Sequence, residues 1–522
     1  MTNRWKSAVP ASIMVRITGL YGPAPMANTK TTLENLRVSD FIKENYLVLL
    51  IFVAGLVLRL YTIGSESIWY DEAISVAVAK LGFVEHLQWI TEVDDNNPPL
   101  YYTFLHLWVQ VFGYSETSVR MPSAIFGALS ILVIYALGKL LFDKKTGLVA
   151  AAILAVSIFN IMFSQEARAY SLMAFLALLS FYYLVRMTMS DKRIYAAAYV
   201  VSSVCLVYSH YYGIFVMLGQ SLWFFTMLLF RKRAGALGLS KWLLLQVVVV
   251  LLFLPCSYLL IRNTAAIQKG FWISEPGFRD IVGYFRLYAG TYFLLWLSLF
   301  FIFLSIVGPR LVKRVKTLER FFGGDDYNPE GPLIPYGWRI NLLLIWIVAV
   351  VFVPLVISHI SSPILIYRYT IASAPAFYIL TARGISGLRV NVAIVLIVAL
   401  IAGLSFPGLK RYYVEAEKYD WREAMKYIQE EAMPGDFVVT YPSFEVEPAA
   451  YYMKRGDVKV AKYSDDIYSY KGFGDNNIWL VVSSHRGLEK NVVKIKMASR
   501  FSFVAEKEYK GLHIYQFREV NR

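Results

Sequence analysis

Charge is scarce in this chain. Only 17% of its 522 residues are Asp, Glu, Lys or Arg, where soluble domains carry about 25%. That deficit excludes an ordinary water-soluble protein. Cysteine is scarcer still. Cys205 and Cys256 are the only two, and both lie inside apolar stretches. Neither a disulfide framework nor a thiolate zinc site is expected from them. No long apolar run precedes Tyr46, so a cleavable signal peptide is not expected either. Solenoid repeats and low-complexity tracts are absent. Residues 1–25 read as an extension, Met26 could be the start of translation, and residues 1–35 are expected to be poorly ordered.

Apolar residues are abundant: 57% of the chain is hydrophobic and 16% aromatic. A spanning helix needs about 20 mostly apolar residues, and about eleven stretches qualify. They lie near 46–64, 119–142, 147–164, 170–187, 194–211, 213–230, 242–262, 288–308, 340–359, 368–383 and 390–406. The net charge of +15 could point to nucleic acid. Its placement argues for a membrane instead, because Lys and Arg concentrate in short loops such as Arg231-Lys232-Arg233 and Arg310–Lys316. Putting those loops in the cytoplasm satisfies the positive-inside rule. The N-terminus is then cytoplasmic, and an odd number of spans puts the C-terminal segment outside.

The expected fold is an all-α polytopic bundle with a small C-terminal extracytoplasmic α/β domain. Residues 1–45 form the cytoplasmic segment, 46–406 the membrane domain and 407–522 the outer domain. The first external loop, 65–118, carries two amphipathic patterns read as interfacial helices, with Trp89 and Trp108 at headgroup depth. Loop 263–287 has the length of a flap over a cleft. In the tail, helices are expected at Trp421–Glu431 and Val446–Arg455, and strands at Phe437–Tyr441, Ile478–Ser483 and Leu512–Phe517. The tail shows no phosphate loop, triad or metal spacing.

Chemistry gathers at one face. Asp71 and Glu72 appear where the chain leaves the first span, and Asp94-Asp95-Asn96-Asn97 follows, held by Pro98-Pro99. A plain alternative has Asp71 capping a helix Glu72–Leu81. On the same side lie Arg59, Glu166, Arg168, Tyr170, His210, Tyr211, Arg368 and Tyr369. Charge near the hydrocarbon is costly, so such groups suggest function. Arginine offers a fork for phosphate oxygens and stays ionised when desolvated. A half-buried carboxylate can serve as a general base. Structural readings stand beside these: Glu166 could pair with Arg168, Arg59 could snorkel to the headgroups, His210 could simply pack, and the tyrosines could form an aromatic belt.

Ser67-Ile68-Trp69-Tyr70-Asp71-Glu72-Ala73, Asp95-Asn96-Asn97-Pro98-Pro99-Leu100-Tyr101-Tyr102, Ser115-Glu116-x-x-x-Arg120-x-Pro122-Ser123 and Ser164-Gln165-Glu166-Ala167-Arg168-Ala169-Tyr170 resemble a prokaryotic membrane glycosyltransferase of the GT-C class, in its protein O-mannosyltransferase-like and aminoarabinose-transferase-like branch. The resemblance is strongest over 50–230 and returns at Tyr367-Arg368-Tyr369. It implies inverting transfer from a polyprenyl-phosphate sugar to an acceptor hydroxyl on a lipid, glycan or protein, at the external face of the cell membrane. It also implies Asp71 as general base, Glu72 as its neighbour that orients the acceptor or tunes the base, with one of the two repelling carboxylates raised and sharing a proton, and Asp95 as the catalytic acidic residue of the Pro-Pro motif. Arg168 and Arg368 match donor-phosphate positions, and Lys269 in the flap could assist. Arg59, Tyr70, Asn97, Glu166, Tyr170, His210, Tyr211 and Tyr369 would line the substrate cavity. Asn97 stands where many relatives have His or Lys, which weakens a ligand role there. No cofactor, metal or nucleic acid is expected, and a divalent cation at the acidic loop is disfavoured. The competing class is a flippase for lipid-linked sugars, which would place its polar groups near mid-membrane. An oligosaccharyltransferase ranks lower, since its Trp-Trp-Asp segment is missing.

Overall fold

The computed structural model describes residues 29–93, 97–231, 237–267, 273–314, 334–415, 417–464, 476–483 and 490–519. The chain divides between Leu50 and Ile51 into two units. The second, Ile51–Arg522, holds the helices and sheet described next, and α1 (Thr29–Leu60) runs across the division.

Three short helices follow α1 in the loop: α2 (Tyr70–Lys80), α3 (Phe83–Gln88) and α4 (Pro99–Phe112). Fourteen residues make α4 too short to span. The bundle continues through α5 (Glu116–Leu141), α6 (Lys144–Val156), α7 (Ile158–Ser164), α8 (Tyr170–Met189), α9 (Arg193–Ser209), α10 (Gly213–Arg231) and α11 (Leu239–Ile267). Then come α12 (Phe278–Ala289), α13 (Tyr292–Arg314), α14 (Tyr336–Ile347), α15 (Val353–Ile360), α16 (Ala374–Ser386) and α17 (Asn391–Val414).

Seven of these helical stretches are long and apolar enough to cross a membrane, or eight if the bent pair α6–α7 is one span. The sequence reading of about eleven exceeds this for local reasons. The stretch at 147–164 bends by 61° between α6 and α7. Helix α9 has only 17 residues. The stretch at 368–383 opens with a 3-10 turn, Tyr367–Ser373, before the 13 residues of α16. The stretch at 46–64 forms the end of α1 and a turn beyond it.

Small residues let the helices touch. A Cβ on Gly384 of α16 would strike the Phe301 carbonyl of α13, and one on Gly147 of α6 would strike the Tyr135 backbone of α5. Close backbone approach of this kind replaces hydrophobic drive, which vanishes in lipid.

The tail forms a five-stranded sheet in the order β2-β1-β3-β5-β4. Its strands are β1 (Phe437–Tyr441), β2 (Lys459–Lys462), β3 (Asn477–Ser483), β4 (Phe501–Tyr509) and β5 (Leu512–Glu519). Strands β2, β1 and β3 run parallel, while β5 opposes β3 and β4 opposes β5. Central β3 is buried along its whole length, as its unbroken apolar run requires. Helices α18 (Trp421–Glu431), α19 (Val446–Tyr452) and α20 (Lys490–Ala498) complete the tail. The second tail helix thus stops three residues short of the expected Arg455. Buried Asp436 accepts from the Asn477 and Met433 backbone N–H groups and from Trp479 Nε1, at 2.8, 3.0 and 2.9 Å. It fixes the turn into β1.

Candidate active site

Helix α2 starts at Tyr70 with Trp69 as its N-cap, so Asp71 lies in the first turn and does not cap it. Glu72 and Asp71 consequently point to different company. Glu72 is fully buried and receives both forks of Arg120, Nε to Oε1 and Nη2 to Oε2, each at 2.8 Å. Lys418 Nζ donates to Oε2 at 3.0 Å, and the Ala167 backbone N–H to Oε1 at 2.9 Å. Burial works to raise this carboxyl, yet Arg120, Lys418 and the Ala167 N–H outweigh it and hold it at about 2. Both Glu72 oxygens are thus engaged by Arg120, Lys418 and the Ala167 N–H. Arg120 also donates to the carbonyls of Ile63, Glu66 and Ser67. Together the two residues pin the loop that delivers Asp71.

Asp71 keeps a partly exposed carboxylate, 18% open, with Arg368 Nη1 at 3.1 Å from Oδ2. Its backbone carbonyl accepts from Arg168 Nη1 at 3.3 Å. Arg168 reaches further to Tyr102 Oη at 2.8 Å, Ser75 Oγ at 3.4 Å and Asn97 Oδ1 at 3.3 Å. Residues separated by almost 300 positions thus converge: α2, the turn before α8, and the 3-10 turn before α16.

Beside them sits an aromatic group. The Tyr369 ring lies 4.6 Å from His210, 5.1 Å from Tyr212 and 6.3 Å from Tyr170. His210 Nδ1 accepts the Tyr212 backbone N–H at 3.1 Å, so that nitrogen carries no proton. Tyr211 turns instead to the Cys256 thiol. Tyr70 packs on Phe444 of the tail.

Glu166 does not behave as an ordinary bridge partner for Arg168. Its Oε2 is buried without a hydrogen-bond partner. Burial pushes this carboxyl up to about 7, with Lys418 pulling down and Glu72 adding to the rise. Arg59 neither snorkels nor faces the Asp71 group. It is fully buried and donates to the carbonyls of Gly55, Leu154 and Ala155. Both of the latter lie in the last turn of α6, where the Leu154 carbonyl also accepts the Ser157 backbone N–H. Asp95 and Lys269 lie outside the described residues.

Arg120, Lys418 and Tyr102 had no assigned role in the sequence reading. Arg120 sits inside the Ser-Glu-x-x-x-Arg motif, whose Arg was a signal. Nothing in the local sequence marks Lys418, which comes from 346 residues beyond Glu72. A cavity of about 190 Å³ lies behind the Glu72 cluster, lined by Ile63, Glu66, Arg120, Gln165, Tyr412 and Lys418 among others. Asp71 is not in its lining. Among the described residues no group of three His, Cys, Asp or Glu side chains could hold a metal ion.

Chemically, the described cluster combines the basic side chains of Arg120, Arg168, Arg368 and Lys418 with the carboxyl groups of Asp71 and Glu72. Arg120 and Lys418 are spent on Glu72. Arg168 and Arg368 remain around one accessible carboxylate, an arrangement suited to a phosphate oxygen anion beside a base.

The fold is similar to those of solved GT-C membrane glycosyltransferases. Residues 96–259 match the family model for dolichyl-phosphate-mannose-protein mannosyltransferases. The fold resembles apo ArnT from Cupriavidus metallidurans at a TM-score of 0.60 and 13% identity, covering 90% of this chain and 97% of that one. The same protein bound to undecaprenyl phosphate matches at 0.60 and 12%, covering 90% and 98%. The Archaeoglobus fulgidus oligosaccharyltransferase in complex with Zn and sulfate matches at 0.53 and 12%, covering 89% and 73%. Identities this low establish the shared fold. Curated protein sequences gave no match.

Proposed function

We propose that the chain moves a sugar from a polyprenyl-phosphate donor to an acceptor hydroxyl at the external membrane face, with inversion at the anomeric carbon. One observation carries the reading: Arg168 and Arg368 converge on Asp71, at 3.3 Å to its carbonyl and 3.1 Å to its carboxylate. A relative of the same fold was solved with undecaprenyl phosphate, which supports a lipid-phosphate donor. The Lys- and Arg-rich loops support the external placement.

The donor phosphate takes up the Arg168 and Arg368 guanidiniums, and Arg368 leaves Asp71 to do so. The carboxylate is thereby freed. The acceptor oxygen attacks the anomeric carbon as Asp71 removes its proton. The bond from that carbon to the phosphate oxygen breaks, and the polyprenyl phosphate departs with the electron pair. Two guanidiniums in a partly water-excluded site stabilise that growing charge, and losing one such donor costs about 100- to 1,000-fold in rate. Glu72 keeps the loop rigid, and the tyrosines with His210 flank the phosphate and sugar.

The test is transfer of radiolabelled sugar from polyprenyl phosphate by protein in proteoliposomes. Asp71→Asn is expected to abolish transfer while leaving donor binding within a few fold. Movement of intact donor across the bilayer, with no transfer by the wild type, would replace the enzyme with a flippase.

A further inference from the structure

The tail places a second carboxyl against the Asp71 loop. Glu445 lies just after β1, at the start of α19, and is 97% buried. Its Oε1 accepts from Ser483 Oγ at 3.5 Å, while its Oε2 has no hydrogen-bond partner. The buried Thr440 hydroxyl on β1 lacks a partner as well. Ser483 ends β3, which runs parallel to β1. Glu445 and Ser483 therefore stand at the carboxyl ends of parallel strands, where open α/β sheets take their ligands.

That edge rests on α2. The Phe444 ring meets Tyr70 at 5.0 Å, and the Ile68 backbone N–H donates to Tyr452 Oη at 2.8 Å. Tyr70 and Phe444 are the chain neighbours of Asp71 and Glu445. Burial pushes the Glu445 carboxyl up to about 7, Ser483 pulls it back, and the Asp71 charge adds to the rise. A buried carboxyl oxygen without a partner costs stability, a cost that a ligand hydroxyl hydrogen-bonded to it would offset.

We propose that Glu445, with Ser483 and the Tyr70–Phe444 ring pair, forms the acceptor subsite, and that the acceptor group held there is a sugar residue. This assignment rests on Asp71 being the base. A carboxyl near neutrality both donates and accepts hydrogen bonds, which matches a sugar hydroxyl, itself donor and acceptor. The two rings, with Phe444 38% exposed, offer an apolar surface for the carbon face of a pyranose.

The experiment uses the full chain in lipid nanodiscs, with methyl glycosides as acceptor probes and undecaprenyl phosphate as donor-lipid probe. Saturation-transfer NMR reads glycoside binding, and native mass spectrometry reads the lipid. Glu445→Ala and Phe444→Ala are each expected to weaken glycoside binding at least tenfold. Glu445→Gln, which keeps both hydrogen-bonding functions, is expected to stay within threefold of wild type. Undecaprenyl phosphate affinity should be unchanged in all three, which also reports that they are folded. Equal glycoside binding by wild type, Glu445→Ala and Phe444→Ala would overturn the proposal. So would a wild type that binds a lysine-containing peptide at this site and no glycoside. Failure of the wild type to bind undecaprenyl phosphate would strike the donor assignment instead, a separable result.

Discussion

Replacing Glu72 by Gln removes one charge from a place where Arg120, Lys418 and the Ala167 and Trp69 backbone N–H groups depend on it. Arg120 and Lys418 are 2% and 14% exposed and would be left cationic beside an amide. The carboxyl is held at about 2 against an ordinary 4.5. At about 1.4 kcal/mol per pH unit, that drop is worth about 3 kcal/mol. Breaking a buried pair by removing one member costs about 3–5 kcal/mol, a figure of the same size. The sign follows from the direction of the shift. A depressed carboxyl contributes fully above about pH 4.5 and loses its contribution as pH falls towards 2. Glu72→Gln should therefore unfold several degrees below wild type at pH 7, with the gap narrowing below pH 4.5. Thermal unfolding followed by tryptophan fluorescence in detergent reads both. Transfer should fall as well, because the Asp71 loop loses its anchor. A Glu72→Gln protein as stable as wild type at pH 7 would refute the anchoring role and return Glu72 to the reaction itself.

Glu166→Gln should act in the opposite sense. A carboxyl raised to about 7 by burial costs nothing below its unfolded value of about 4.5 and its full price above 7. The variant should be more stable than wild type by up to about 3 kcal/mol at pH 8 and equal to it near pH 4.5; a pH-independent difference in melting temperature would contradict the burial argument. Arg59→Met should destabilise the protein by about 1–3 kcal/mol, because the Ala155 carbonyl loses its guanidinium donor and the Leu154 carbonyl keeps only the Ser157 N–H. Its undecaprenyl phosphate affinity should stay within a few fold, measured on the same preparations, and a large loss of lipid binding would place Arg59 in the substrate cavity after all.

Much of the architecture was readable because apolar periodicity and length carry it. The strand Phe437–Tyr441 and the helix Trp421–Glu431 fall where turn chemistry and amphipathicity put them. Strand β4 was not readable: its side chains are mostly exposed, and its residues fall into an apolar block ending at Ala505 and a charged block Glu506-Lys507-Glu508, so the alternation that signals a strand is missing. Local breaks were also invisible, since a bend at Ser157 and a 3-10 turn at Tyr367–Ser373 leave the hydropathy of their stretches unchanged. At the site, residue type announced Asp71, Arg168 and Arg368, but partnership did not. Glu72 and Asp71 are adjacent and look alike in sequence, yet one is sealed against Arg120 and Lys418 while the other stays open. Only the fold decides that, because it brings Lys418 from the far end of the chain.

Titration of the purified protein with undecaprenyl phosphate, compared among wild type, Asp71→Asn, Arg168→Ala and Arg368→Ala, tests the shared site most directly. The arrangement around Asp71 calls for losses of about tenfold or more in each arginine variant, from charge-assisted phosphate contacts worth about 1.5–3 kcal/mol each. Asp71→Asn, which releases Arg368 from its ion pair, should bind as tightly as wild type or tighter. Unchanged affinity in both arginine variants, or collapse of binding in Asp71→Asn, would contradict a phosphate held beside the base.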